Sequence, residues 1–164
     1  AVLVVGGTGP ELAKLKRLAA RRRGRVIFLD RVAEDDAPAL FAAADVFALP
    51  VADRWFGLDI EGLGVVLLEA AACGTACVTG ISGGTPEAVV DGETGYVIDA
   101  TDRGRLVSSL ATLLEDREQA DVMGANGRAY VHHEFAARRL PPSFLDWLGL
   151  ERSWAPTKSH AKEG

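Results

Sequence analysis

The sequence has few of the residues and segments that mark several large classes of protein. It contains two cysteines, Cys73 and Cys77, and three histidines in 164 residues. Neither cysteine has a histidine nearby, so the sequence carries no zinc-binding pattern, and we expect both thiols to be small core residues. No apolar run approaches the roughly 20 residues of a membrane-spanning helix, and the first residues lack the basic stretch and cleavage site of a signal peptide. The sequence thus predicts a soluble, cytoplasmic domain.

Charge and composition are those of an ordinary globular domain. Hydrophobic residues make up 48% and charged residues 25%, and the net charge is −5. A net negative charge argues against a dedicated nucleic-acid binder, so we expect small molecules or protein surfaces as partners. A chain of this length can bury one continuous core, which we place at residues 1–150. Residues 151–164 are polar and poor in apolar side chains, and we expect a disordered tail there.

Short apolar segments alternate with helical patterns along most of the chain. Strands are predicted at Ala1–Val5, Val26–Leu29, Val46–Leu49, Ala76–Thr79 and Tyr96–Ile98, and helices at Pro10–Arg22, Asp36–Ala43, Leu63–Ala72, Asp102–Leu114, Glu118–His133 and Ala136–Leu148. Apolar strands that recur between helices favour a parallel sheet covered on both faces, which is the doubly wound α/β class. The chain opens abruptly on a strand, so we expect that it has been cut from a longer protein.

The glycine turn Gly7–Gly9 is the first candidate site. It follows a strand, precedes a helix, and has Asp30 about twenty residues later, which is typical of a dinucleotide-binding turn. The third glycine of that fingerprint is replaced by Leu12, whose side chain would keep the helix and strand apart. A plain tight turn with Pro10 at the first helical position fits equally. In a third reading the turn lies behind a bound diphosphate. An NAD(P)-dependent oxidoreductase and a non-catalytic binding module both remain alternatives.

The second candidate site comprises two glutamates around a helix start. Glu61 precedes Gly62–Gly64, where free N–H groups and the positive end of the helix dipole favour a bound diphosphate. If the helix starts at once, Glu69 lies ~12 Å further along the axis, comparable to the reach of a sugar diphosphate nucleoside. Glu69 is surrounded by apolar residues, so we expect it to be buried for a purpose. Alternatively, Glu61 is a dipole-favoured acid and Glu69 a partly exposed surface residue.

Three segments resemble one known family in order and spacing. They are ADVFALP at Ala44–Pro50, EGLGVVLLEAAACGT at Glu61–Thr75 and SGGTPEAVVDGETGYVI at Ser82–Ile98. They resemble retaining glycosyltransferases of family four, whose C-terminal domain binds the sugar nucleotide. The resemblance implies a Rossmann-like domain that forms one half of a GT-B architecture. The loop Asp53–Gly62 is similar to that of actinobacterial phosphatidylinositol-mannoside mannosyltransferases, which implies GDP-mannose as donor and a glycolipid acceptor.

The same resemblance implies a role for each candidate residue. Glu61 would bind the donor-sugar hydroxyls as the catalytic residue, and Glu69 would bind the ribose hydroxyls. The distal phosphate would lie on backbone amides of the helix start, which comprises Gly62, Leu63, Gly64 and Val65. Arg31 and Val32 would contact the nucleobase, although Asp30 replaces the glycine usual there. Gly7 joins the candidate site through the third reading of the glycine turn, in which that turn lies behind the diphosphate.

The resemblance also implies that catalysis depends on groups that this sequence does not contain. The family generally needs no divalent metal and no cofactor besides the donor, so positive groups must neutralise the leaving diphosphate. In the family an arginine and a lysine before the first strand of this chain do so, and an N-terminal domain carries the acceptor site. We therefore expect weak donor binding and no turnover by the chain alone, and any membrane association only through the missing domain.

Overall fold

A computed structural model describes residues 1–53 and 60–135. The strands are β1 (Val2–Gly6), β2 (Arg25–Leu29), β3 (Val46–Leu49), β4 (Ala76–Thr79) and β5 (Gly95–Val97). The helices are α1 (Leu12–Ala20), α2 (Ala37–Ala42), α3 (Val65–Ala72), α4 (Thr85–Ala88), α5 (Arg103–Glu115) and α6 (Arg117–Glu134). Every strand pairing between these elements is parallel, which confirms the α/β class.

The sheet β3-β4-β5 holds the core, and helices cover both of its faces. All four residues of β4 are buried. Cys77 packs on one face with Leu67 of α3, whereas Val78 packs on the other with Leu113 of α5 and Met123 of α6. Successive side chains of a strand point to opposite faces, so this apolar strand needs cover on both sides. The predicted arrangement is confirmed for this part of the chain.

The first two strands form a separate parallel sheet, β1-β2. Val2, Leu3 and Val4 of β1 are 48%, 58% and 42% exposed. The sequence predicted one sheet, but within the described residues no strand joins β1 to β3, so the hydrogen-bonded ladder is divided. Most apolar side chains of β1 thus lie at the surface and Val5 is half-buried, whereas every residue of β4 is buried.

Some predicted features differ from the structure or fall outside it. Helix α1 begins at Leu12 with Glu11 as its N-cap, so Pro10 does not occupy the first helical position. Helix α4 was not predicted, because a single turn is too short to show a helical period. The predicted helix Ala136–Leu148 and the tail 151–164 lie outside the described residues. No described helix combines the length and apolarity that crossing a membrane requires.

Candidate functional site

Glu61 and Gly62 are hydrogen-bonded to the loop that follows β4. The N–H of Glu61 donates to Oγ of Ser82 at 3.0 Å, and the Ser82 hydroxyl donates to Oδ1 of Asp53 at 2.6 Å. One residue further along, the N–H of Gly84 donates to the carbonyl of Gly62 at 2.8 Å. Two consecutive residues before α3 are therefore held by two hydrogen bonds from one loop.

Gly83 lies between these two contacts and approaches the backbone of Glu61 directly. A Cβ atom at Gly83 would lie 1.8 Å from the carbonyl oxygen of Glu61, and the φ of Gly83 is +55°. Both the left-handed conformation and the close approach require glycine. The position of Glu61 is thus set by backbone contact as well as by hydrogen bonds.

Helix α3 begins later than predicted. Its first residue is Val65, and its N-cap Gly64 has φ +67° and ψ 56°, a left-handed conformation outside the helix. The N–H of Leu67 donates to the Gly64 carbonyl at 2.7 Å, but the N–H groups of residues 63–66 donate to no other described residue. These amides have no acceptor among the described residues and lie at the positive end of the helix dipole, where an anion is favoured; Gly64 itself is buried, and Val65 is exposed.

Glu69 is exposed, so the prediction that it is buried is wrong. Residues three and four apart share one helix face, which places Glu69 on the outer face of α3 with Val65, itself 60% exposed. Leu67, Ala70 and Ala71 form the buried face. The apolar residues around Glu69 in sequence led to the wrong prediction, because most of them pack on the other side of the helix. The ~12 Å separation assumed a helix running from Glu61, and that assumption fails because Glu61 precedes α3 by four residues.

The residues predicted to contact the nucleobase lie beside the glycine turn, where β1 and β2 end. The N–H of Gly7, at φ +118°, lies 2.8 Å from the carbonyl of Asp30 and 3.3 Å from that of Leu29. Arg31 is exposed, while Val32 is half-buried with Cγ2 3.2 Å from where a Cβ of Gly6 would lie. The glycine turn and the Arg31 segment therefore form one group of residues.

The predicted site residues thus fall into two groups: Glu61–Val65 with Glu69, and Gly7 with Arg31 and Val32. Asp53 and Ser82, which hold Glu61, were missed as site residues. The only sequence signal for Ser82 was a hydroxyl beside two glycines in the loop after a strand. Most of the loop similar to the mannosyltransferases, residues 54–59, lies outside the described residues. Nowhere in residues 1–53 and 60–135 do three potential metal-ligating side chains converge.

The two cysteines differ in burial. Cys77 is fully buried beneath α3, and burial raises the pKa of its thiol to about 12. Its Sγ lies 3.4 Å from the carbonyl oxygen of Thr75. Both cysteines are free, and Cys73 is half-buried. The prediction of a core thiol is confirmed for Cys77, whereas Cys73 keeps partial contact with solvent.

Comparison with known families identifies the class of protein to which this fold and site belong. The model of the family described as glycosyl transferases group 1 matches residues 1–130. The chain belongs to this family. Membership favours sugar transfer over the hydride transfer considered for the glycine turn.

Individual relatives narrow the comparison. The chain is 43% identical over 150 residues to a GDP-mannose-dependent alpha-(1-6)-phosphatidylinositol monomannoside mannosyltransferase of Mycobacterium tuberculosis, covering 90% of this chain and 39% of the relative. Identity to the enzyme of the same name from Mycolicibacterium smegmatis is 46% over 130 residues, covering 78% and 34%. The N-acetyl-alpha-D-glucosaminyl L-malate synthase of Bacillus anthracis is 32% identical, covering 85% and 35%. The chain thus spans about two fifths or less of these relatives.

Solved structures agree with the family. A sucrose-phosphate synthase from Thermosynechococcus elongatus superposes with a TM-score of 0.73 at 26% identity, covering 90% of this chain and 36% of that one. An Anabaena protein in complex with UDP and glucose gives 0.72 at 27% identity, covering 91% and 40%. Both comparisons cover nearly all of this chain and less than half of the neighbour, which is what one domain of a larger enzyme would show.

Proposed function

We propose that this chain is the donor-binding domain of a retaining glycosyltransferase that transfers a hexose, with mannose from GDP-mannose as the favoured donor. The names of the mycobacterial relatives support GDP-mannose, and they support an acceptor of the glycolipid class. Binding of UDP and glucose by the Anabaena neighbour supports a nucleotide sugar as the general ligand.

The observation that carries the proposal is a helix start whose amides have no acceptor among the described residues, and which lies in sequence between two exposed carboxylates. The amides of residues 63–66 donate to no other described residue, and Glu61 and Glu69 are both exposed. A diphosphate accepts hydrogen bonds from such amides and is favoured by the helix dipole. Carboxylates on either side suit the hydroxyl-rich ends of a sugar nucleotide, because each oxygen accepts hydrogen bonds from hydroxyl groups.

Each carboxylate takes one end of the donor in this proposal. Glu61 binds the sugar hydroxyls and orients the ring at the bond to be broken. Glu69, four residues into α3 from Val65, binds the ribose hydroxyls. Orientation of the reacting sugar is a large part of catalysis, since a fixed near-attack geometry removes much of the entropic barrier. Glu61 is therefore the catalytic residue of this chain.

The glycine turn and the Arg31 segment complete the donor site. The nucleobase lies against Arg31 and Val32, where β2 ends, and the backbone at Gly7 faces the diphosphate. Ligands of open parallel α/β sheets bind beyond the carboxyl ends of the strands, and both segments follow such an end. A planar guanidinium such as that of Arg31 can stack on a base.

Turnover requires more than this domain. Group 1 relatives are more than twice as long as the part matched here, and the acceptor site belongs to the remainder in this proposal. Positive side chains from outside the chain would neutralise the leaving diphosphate, without a metal or further cofactor. The chain alone therefore binds the donor weakly and does not transfer sugar.

Titration followed by NMR chemical shifts tests donor binding, because it measures affinities into the millimolar range. We expect GDP and GDP-mannose to bind and NAD not to bind. Glu69→Gln should weaken both GDP ligands about 10- to 100-fold, the range expected when hydrogen bonds to a charged group are lost. Glu115→Gln, at an exposed position ending α5, is the matched control and should leave binding unchanged. Binding of NAD, or full affinity for GDP in Glu69→Gln, would contradict the proposal.

A further inference from the structure

The hydrogen bonds around Ser82 carry a further inference, which rests on the proposed function. We propose that Ser82 is a positioning residue for Glu61: its hydroxyl couples the Asp53 carboxylate to the Glu61 backbone and thereby sets where the sugar-binding carboxylate lies. Asp53 and Glu61 are 29 and 21 residues from Ser82 in sequence. The serine is the point at which these two segments meet.

The direction of each hydrogen bond follows from counting protons. A backbone N–H can only donate, so Ser82 Oγ accepts from Glu61 at 3.0 Å. The single hydroxyl proton is then free for Asp53, and the 2.6 Å oxygen–oxygen distance is that of a charge-assisted bond. A hydroxyl that donates to a carboxylate becomes a better acceptor, so the Asp53 charge strengthens the hold on Glu61.

Ser82 is itself fixed to the core, which makes it a rigid anchor. Its side chain is buried, with 1% of the residue exposed. Its carbonyl accepts the Thr85 hydroxyl at 2.9 Å, and that hydroxyl also lies 2.8 Å from the carbonyl of Gly80. Thr85 is completely buried. The contacts therefore run from the interior beside β4 through Ser82 to Glu61, which is exposed.

This arrangement predicts an effect on one end of the donor only. Glu61 binds the sugar in the proposed site, whereas Glu69 and the α3 amides bind the ribose and the phosphate. Ser82→Ala removes the acceptor for the Glu61 N–H and leaves the Glu69 side chain untouched. Affinity for GDP-mannose should fall about tenfold, the equivalent of one lost hydrogen bond, while affinity for GDP should stay within about twofold.

The test compares GDP with GDP-mannose by NMR titration in matched variants of the chain. In the proposed site the unmodified chain should bind GDP-mannose more tightly than GDP, because Glu61 contacts the sugar. Ser82→Ala and Asp53→Ala should each lose this difference in affinity. Ser82→Thr, which retains the hydroxyl, should recover most of it, and Asp53→Asn, which retains an acceptor oxygen, should recover part. Ser108→Ala removes an exposed hydroxyl from α5 and should change nothing. Equal weakening of GDP and GDP-mannose in Ser82→Ala would show a merely structural role and overturn the inference.

Hydrogen exchange at the Glu61 amide supplies a readout that needs no ligand. The amide should be protected in the unmodified chain and exchange faster in Ser82→Ala, with an intermediate rate in Asp53→Ala. Unchanged protection in Ser82→Ala would overturn the positioning role. If neither GDP ligand binds the unmodified chain, the proposed function fails, and the exchange rates still decide whether Ser82 holds Glu61.

Discussion

Substitution of Gly83 by alanine should displace Glu61 and lower the affinity of the chain for the sugar nucleotide. The added Cβ would lie 1.8 Å from the Glu61 carbonyl oxygen, where real Cβ contacts are at least 3.0 Å. The backbones at Gly83 and Glu61 must therefore separate by roughly 1.2 Å. A displacement of about 1 Å is enough to disrupt the hydrogen bonds of a bound ligand. If Glu61 binds the sugar as proposed, loss of its hydrogen bonds corresponds to a fall of about 10- to 100-fold in affinity for GDP-mannose.

Gly92→Ala is the matched control, because it carries the same backbone strain without the clash. Gly92 has φ +78°, and a Cβ there would meet nothing within 4 Å. Left-handed alanine costs about 1–2 kcal/mol, so we expect both variants to lose a few degrees in Tm. Only Gly83→Ala should also lose affinity for GDP-mannose and protection of the Glu61 amide.

Thermal denaturation and NMR titration of the two variants decide the matter. Normal GDP-mannose affinity in Gly83→Ala, with a Tm no lower than that of Gly92→Ala, would refute the reasoning, since it would mean that the loop accommodates a Cβ without moving Glu61. A fall in GDP-mannose affinity for Gly92→Ala would refute it too, because strain alone would then explain the effect.

Three further predictions concern the core beneath the site. Because burial raises the pKa of Cys77 to about 12, its thiol stays protonated in the fold, so mass spectrometry after alkylation at pH 8 should find native Cys77 unmodified and Cys73 modified first. The unfolded thiol ionises from about pH 9, so Cys77 should make the free energy of unfolding fall between about pH 9 and 12, a decline that Cys77→Ala should reduce in denaturant titrations. Leu67→Ala should cost about 2–5 kcal/mol of unfolding free energy, and the exposed neighbour on the same helix, Val65→Ala, less than about 1 kcal/mol.

Local sequence patterns were sufficient for the elements of the core sheet. The predicted bounds of β3 and β4 match the structure residue for residue, because each is a short apolar run bounded by a turn. The start of α3 was placed two residues early, since Gly64 stands in a helical pattern but adopts a left-handed conformation. Glycine permits either conformation, so a pattern alone cannot distinguish a first helical residue from a cap.

The candidate site was predicted only in part, because its geometry depends on contacts between distant residues. Glu61 and the amides after it could be found from the helix start that they precede. The burial of Glu69 was misjudged because an apolar neighbourhood in sequence does not say which face of a short helix is outward. Ser82 reaches Asp53 and Glu61 across 29 and 21 residues, and no local period reports such a contact.

The loop after β4 presses glycine backbone against the neighbouring segment in two places. A Cβ at Gly80 would lie 1.7 Å from the carbonyl of Val51, as one at Gly83 would from that of Glu61 at 1.8 Å. Because these contacts join backbone to backbone, no small change of side-chain size can be accommodated at either glycine. Any other residue at Gly80 or Gly83 would push the two segments apart. In the proposed donor site, an exposed side chain such as that of Arg31 can instead be exchanged without moving the backbone.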